Sequence, residues 1–171
     1  MKSQGFTLIE LIIILVIIGI LAVSASPIFI SDSGAKSQTT RLQAMSILRA
    51  VQQQAMQDTA NTYEVMVAES IFGVPPYNED NNRQISGVED IRFLLFHTDN
   101  EGVTRNILVE QGVFSASIEI DALGRPVVFA VKEEERSRVG DCDRGCILTI
   151  THSSGVSRTI SINKEGFIDA Q

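Results

Sequence analysis

From Phe6 to Ile30 the only ionisable side chain is Glu10, and from Leu11 to Val23 no polar side chain interrupts the apolar run. A helix of about 20 such residues spans a bilayer, so the pattern predicts a membrane-length helix over 6–30. The run is longer than the apolar core of a cleaved secretory signal, which is about 7–15 residues. A rival remains in "AVSAS" at Ala22–Ser26, which approaches a small-residue cleavage site. Pro27 sits late in the run. A proline inside a helix removes a backbone hydrogen bond and kinks or ends it. Either Pro27 ends the first helix before a polar loop, "SDSGAKS", or it kinks one long helix that has Gly34 as a second weak point.

From Lys36 to Thr62 there is no glycine or proline. Leu42, Met45, Ile47, Leu48, Val51, Ala55 and Met56 recur at three- and four-residue spacing, while Arg41, Gln43, Arg49, Gln52, Gln53 and Gln57 hold the other face. This predicts an amphipathic helix over 31–62 with its apolar stripe in the core. Over 63–171 the period shortens to that of strands. Ile91–His97 reads as a buried strand. Val113–Ile120 alternates, with Phe114, Ala116, Ile118 and Ile120 on one face. Pro126–Lys132 follows the turn "DALGR". Cys146–Ile162 reads as a hairpin turning at Ser153–Gly155, and a short strand closes the chain at Gly166–Ile168. Gly73–Gly87 is rich in Pro, Asn and Gly and reads as a loop. The fold class is α+β: a long N-terminal helix packed by its second half on a C-terminal antiparallel sheet.

Composition narrows the functions. With 171 residues the chain holds one head domain behind the helix. A formal net charge of −7 opposes general binding to nucleic acid or anionic membrane. Two Cys and two His exclude a four-cysteine zinc site and a three-histidine centre. Lys2 is the one charge before the span, which places the N-terminus in the cytoplasm and the head outside the membrane. Glu10 is the anomaly, since a carboxylate at the centre of a bilayer costs on the order of 2.5–3.5 kcal/mol on insertion scales. It either snorkels or is protonated near the headgroups, or it awaits a cation.

The stretch "MKSQGFTLIELIIILVIIGILAV", through Gly5, Phe6, Thr7, Leu8, Ile9, Glu10 and Leu11, resembles the class III prepilin signal of type IV pilins and type II secretion pseudopilins. The resemblance implies that a prepilin peptidase/methyltransferase cuts between Gly5 and Phe6 and methylates the new amine of Phe6. Residues 1–5 would then be a lost leader, 6–30 the membrane and filament-core helix, 31–62 the amphipathic helix and 63–171 a periplasmic β-rich head. It implies a type IV pilin-like fold kinked at Pro27. It also implies a Glu10 that pairs with the terminal amine of a neighbouring subunit, an ion pair made strong by its apolar surroundings. The partners implied are that enzyme, other pilin or pseudopilin subunits and the inner membrane of a Gram-negative cell; no cofactor is expected, and no nucleic acid on the ground of the net charge. "DALGRP" (Asp121–Pro126) and the pattern G-x-x-R-x-I-x-I (Gly155–Ile162) before Gly166 resemble heads of minor pilins of the mannose-sensitive haemagglutinin (MSHA) type. They also resemble H-type minor pseudopilins of type II secretion.

Other candidates for chemistry each have a plain alternative. Cys142 and Cys146 flank "DRG" in an oxidising compartment, where they form a disulfide or stay as two thiols. His97 and His152 both read as strand-borne, and His152 sits beside Ser153 and Ser154 in sequence, which does not make a triad. The acidic stretches Tyr77–Asn82 and Thr98–Gly102 are calcium loops or solvated turns, and neither has EF-hand spacing. Lys132–Arg138, with Arg136, Arg138 and nearby Arg144, docks a subunit, touches DNA or is a solvated strand end. No nucleophile–base pair, metal set or phosphate loop appears, so the expectation is a structural subunit without catalytic residues or metal.

Overall fold

The structure is a computed structural model that describes residues 7–29, 32–76, 83–98, 101–132, 135–142 and 144–171. Two helices lead: α1 (Leu8–Phe29) and α2 (Asp32–Gln57). Of α1, side chains are described as far as Ile20. Among the described residues no helix is long and apolar enough to cross a membrane, so the membrane span stays an expectation of the sequence. Pro27 lies inside α1, and the junction at 30–31 is outside the described residues. The polar-loop alternative is overturned, because Asp32–Ser37 is already helical. Ser37 turns its hydroxyl onto the Ser33 carbonyl one turn back, at 2.9 Å, so a buried serine is tolerated there.

The head holds eleven strands among the described residues: β1 (Tyr63–Ala68), β2 (Ile71–Gly73), β3 (Gln84–Ser86), β4 (Ile91–Thr98), β5 (Thr104–Asn106), β6 (Ser115–Ile120), β7 (Pro126–Lys132), β8 (Glu135–Asp141), β9 (Cys146–His152), β10 (Ser157–Ile162) and β11 (Ile168–Ala170). A single turn, α3 (Ile107–Glu110), stands between β5 and β6. The layout is α+β and type IV pilin-like: an N-terminal helix followed by antiparallel strands. Those strands form two sheets where the sequence predicted one. The first runs β3-β2-β1-β6-β7-β8 and the second β11-β10-β9-β4-β5. Alternation along a strand fixes which face is buried but not which strands pair.

The α2 helix closes the core by packing on β1, β2, β3 and β6 of the first sheet and on β9, β10 and β11 of the second. Leu48 and Val51 are fully buried among Val65, Val67, Phe93, Leu95, Ile118, Leu148, Ile150 and Ile160. Each such side chain contributes about 1.5–3 kcal/mol of burial. Phe72 of the first sheet stacks on Phe93 of the second, with ring centroids 5.5 Å apart.

Four further expectations need correction. Leu42 and Met56 were expected in the core but are 55% and 49% exposed, while the small Ser37, Thr40 and Ala44 face inward where the helix meets strands closely. Phe114 does not share a face with Ala116, Ile118 and Ile120. It precedes β6 and is 94% exposed, because the turn after α3 swings Val113 inward, with its amide donating to the Leu108 carbonyl. Gly73–Gly87 is not all loop: β3 pairs there with β2. The mixed-charge stretch continues as strand β8, paired along β7.

Candidate functional site

The first turn of α1 is the described end of the predicted processing and assembly segment. Thr7 precedes the helix and Glu10 is its third residue. The Thr7 amide and hydroxyl both donate to Glu10 Oε2, at 3.1 and 3.0 Å, and the Glu10 amide donates to Thr7 Oγ1 at 3.3 Å. This is a capping box, in which threonine and glutamate satisfy each other's backbone donors. The T-x-x-E spacing carried that signal, and the reading of Glu10 as a pairing residue passed over it. Glu10 is therefore held in place within its own chain and points its carboxylate at the helix N-terminus. From Leu8 to Ile20 the described residues of α1 are all exposed, so this stretch has no cover from the described residues of its own chain. The cleavage position, Gly5 and Phe6, lies outside the described residues.

Cys142 and Cys146 are joined as a disulfide, and both are fully buried. The bond sits where the chain leaves β8 of the first sheet and enters β9 of the second. It therefore ties the crossover between the two sheets and closes a short loop there, on which Arg144 is exposed. His97 on β4 packs against Gly140 on β8: a Cβ added at Gly140 would stand 3.1 Å from the His97 ring. His152 is buried and bonds through Nδ1 to the Ser154 hydroxyl and amide, at 2.9 and 3.1 Å. The two histidines serve packing and a turn.

The turn in "DALGRP" meets the turn that holds Gly166, the glycine after the Gly155–Ile162 pattern. Asp121–Arg125 joins β6 to β7, and Asn163–Phe167 joins β10 to β11. In each turn the first side chain accepts from the amides two and four residues on: Leu123 and Arg125 onto Asp121 Oδ1, Glu165 and Phe167 onto Asn163 Oδ1. In each, the glycine amide donates back to the first carbonyl, and Gly124 and Gly166 have φ of +80° and +85°. That conformation suits glycine because a Cβ would crowd the following carbonyl. Gln52 of α2 then donates Nε2 to both glycine carbonyls, 2.9 Å to Gly124 and 2.7 Å to Gly166. Each motif alone suggested only a turn, and the contact between them is tertiary.

Charges on the head are mostly matched. Arg136 reaches Glu64 at 2.9 Å, Glu119 at 3.3 Å and the Ser117 hydroxyl at 3.1 Å, with its guanidinium 4.6 Å over the Phe129 ring. This engagement leaves the Arg136 side chain poorly placed for DNA. Asp121 is partly buried, which by itself would raise its carboxyl. The amide and guanidinium of Arg125 and the Leu123 amide outweigh this and hold it below the usual range. Asp58 is lowered by bonds from the Asn61 side chain, the Tyr63 hydroxyl and the Ala60 amide, and the same bond raises the Tyr63 hydroxyl. Of the acidic stretches, Tyr77–Asn82 lies outside the described residues, as do positions 99 and 100 of the other. Among the described residues no group of three His, Cys, Asp or Glu could hold a metal.

Residues 1–26 match the family described as the prokaryotic N-terminal methylation motif. No curated protein and no solved structure matches the chain. The motif supports a type IV pilin or pseudopilin, and it implies processing by prepilin peptidase and assembly with other pilins. The matched stretch ends inside α1, so the head is understood from its own geometry.

Proposed function

We propose that this chain is a structural, minor pilin-like subunit of a type IV pilus of the mannose-sensitive haemagglutinin type, used in adhesion. Prepilin peptidase removes residues 1–5 at Gly5–Phe6 and methylates Phe6. The helix waits in the inner membrane with the head in the periplasm, and the subunit then joins a filament. Glu10 pairs with the terminal amine of a neighbour, and Pro27 kinks the stem. The helix acts twice, as membrane span and as filament core, because both settings remove the same apolar surface from water.

The observation that carries this reading is the methylation motif over residues 1–26, placed on a helix whose described side chains all lie exposed ahead of a packed head. The head adds support through "DALGRP" and the pattern Gly155–Ile162 before Gly166, the stretches that resemble minor pilins, whose Gly124 and Gly166 are both bonded by Gln52. They resemble H-type pseudopilins as well, so a minor pseudopilin of type II secretion is the second reading. The test is mass spectrometry of the subunit from sheared surface filaments. Methylated Phe6 at the N-terminus of a filament protein is expected. Met1 still attached, or a cut after Ala25, overturns the processing. A mature subunit missing from surface filaments, in cells that lose secretion when its gene is deleted, favours the pseudopilin.

A further inference from the structure

The bonds that hold the Glu10 carboxylate end on one of its two oxygens. Thr7 gives both its amide and its hydroxyl to Glu10 Oε2, at 3.1 and 3.0 Å, and the same hydroxyl takes the Glu10 amide at 3.3 Å. The Thr7 carbonyl accepts the first helical bond, from the Leu11 amide at 3.3 Å, so Thr7 is the cap from which α1 starts. Among the described residues nothing bonds Glu10 Oε1, and the residue is exposed. A carboxylate has about four acceptor sites over its two oxygens. The box therefore occupies one oxygen with the helix's own donors and leaves the other open. Leu8, Ile9 and Leu11, the other side chains of that turn, are apolar and give the carboxylate no second anchor. A glutamate that forms an ion pair must give up its rotamer freedom. Here Thr7 has already fixed it, with the carboxylate turned back toward the N-terminal end of α1.

We propose that Thr7 is a positioning residue for assembly: it holds Glu10 so that Oε1 meets the terminal amine of a neighbouring subunit. The inference rests on the pairing of Glu10 in the reading above and adds the residue that aims it. Thr7 acts through Glu10 and not by touching the neighbour. Its hydroxyl is the group that matters, since a serine in its place keeps all three bonds and a valine of the same shape keeps only the one from the amide. Fixing a partner in its bound conformation raises affinity without any new contact.

The test measures each variant in sheared filaments, relative to its mature form in membranes. Thr7→Val should fall by about three- to tenfold, part of the rotamer cost of one long side chain, and Thr7→Ser should match wild type. Thr7→Ala takes the place of Thr7→Val if the valine variant is not matured. A cap that only stabilised the helix would give the same fall, so the deciding comparison is made in Glu10→Gln. There the charge is gone and the cap stays, and Thr7→Val should add nothing. Where Glu10→Gln leaves too little in filaments to compare, Thr7→Asp decides. Aspartate still caps the helix but repels the Glu10 carboxylate, so this variant should fall with Thr7→Val. Three results overturn the inference and leave the pairing of Glu10 standing: wild-type incorporation of Thr7→Val, wild-type incorporation of Thr7→Asp, or a further fall of the same factor when Thr7→Val is added to Glu10→Gln. Wild-type incorporation of Glu10→Gln overturns the pairing itself, and this inference with it.

Discussion

Gln52 and Gly166 are joined by a 2.7 Å hydrogen bond from the side-chain amide to the glycine carbonyl, and the same amide holds Gly124 at 2.9 Å. One helix residue thus pins a turn from each sheet. The packing beneath is tight: a Cβ at Gly166 would collide with the Gly124 carbonyl and with Gln52 itself. Gly155 has a φ of +90°, but open space surrounds it. Three substitutions should therefore rank. Gly155→Ala costs only the left-handed backbone, about 1–2 kcal/mol. Gln52→Ala leaves two part-buried carbonyls without their donor, about 1–3 kcal/mol. Gly166→Ala adds the backbone cost to a clash and should be worst. Thermal midpoints of the full chain in detergent, followed by the strand signal in circular dichroism, check the order. A Gly166→Ala as mild as Gly155→Ala would refute the clasp.

The two turns supply their own control for pH. Asp121 and Asn163 occupy the same place in matching turns, yet only Asp121 also bonds the arginine guanidinium, at 2.8 Å from Nε and from NH2. Its carboxyl is lowered in the fold. A lowered acid contributes stability above its unfolded pKa, about 3.9, and loses it as pH falls through the folded value. Asp121→Asn keeps an oxygen for both turn amides and removes the titration. Near neutral pH the variant should be weaker by less than about 1 kcal/mol, the range of exposed ion pairs. Below pH 4 its urea midpoint should converge on wild type. Parallel curves across that range would show that Asp121 has no part in the acid response.

The Cys142–Cys146 bond closes a short loop, since its ends are four residues apart. Loop-closure entropy for so few residues gives about 2 kcal/mol. Both sulfurs are buried, so thiol reagents should label neither in native protein, with or without mild reductant. Denaturation in reductant should expose both. Replacing both with Ser should lower the melting point by a few degrees and leave the two-sheet fold. Two reactive thiols in native protein purified without reductant would contradict this arrangement.

What could be read from the sequence follows the physics of each signal. The apolar run of α1 and the burial of Leu48, Val51 and Ala55 depend on local spacing, and the spacing showed them. Leu42 and Met56 fit the same spacing but are exposed, whereas the polar Ser37 and Thr40 are buried on the inward face, which the spacing of apolar residues alone does not mark. The β8 strand escaped notice because Glu135–Arg138 has no apolar alternation. It pairs as an edge, and Arg136 ties it to Glu64 and Glu119. The T-x-x-E box at Thr7–Glu10 was legible but lay inside a stronger apolar pattern. The meeting of Gly124 with Gly166 was not legible, since it depends on how two sheets sit on one helix.

The last prediction separates two roles of Glu10. Its carboxylate caps its own helix through Thr7, and in the proposed filament it pairs with a neighbour's amine. Glu10→Val removes both the cap and the charge. Glu10→Gln removes the charge alone, because the amide oxygen can still accept from Thr7. Cap loss costs about 1 kcal/mol. Membrane insertion should be unharmed or improved in both variants, since a costly carboxylate is gone. Cleavage should survive in both, as the cut needs Gly5 and not Glu10. If charge pairing assembles the subunit, both variants should drop out of sheared filaments to a similar degree while their membrane levels stay normal. If the cap is the whole role, Glu10→Gln should assemble like wild type and only Glu10→Val should fail. We expect the first outcome, in full for a subunit flanked by neighbours on both sides, and in partial form for one at a filament end, which has a neighbour on one side only. Normal incorporation of Glu10→Gln would remove inter-subunit pairing from the account and leave Glu10 as a helix cap.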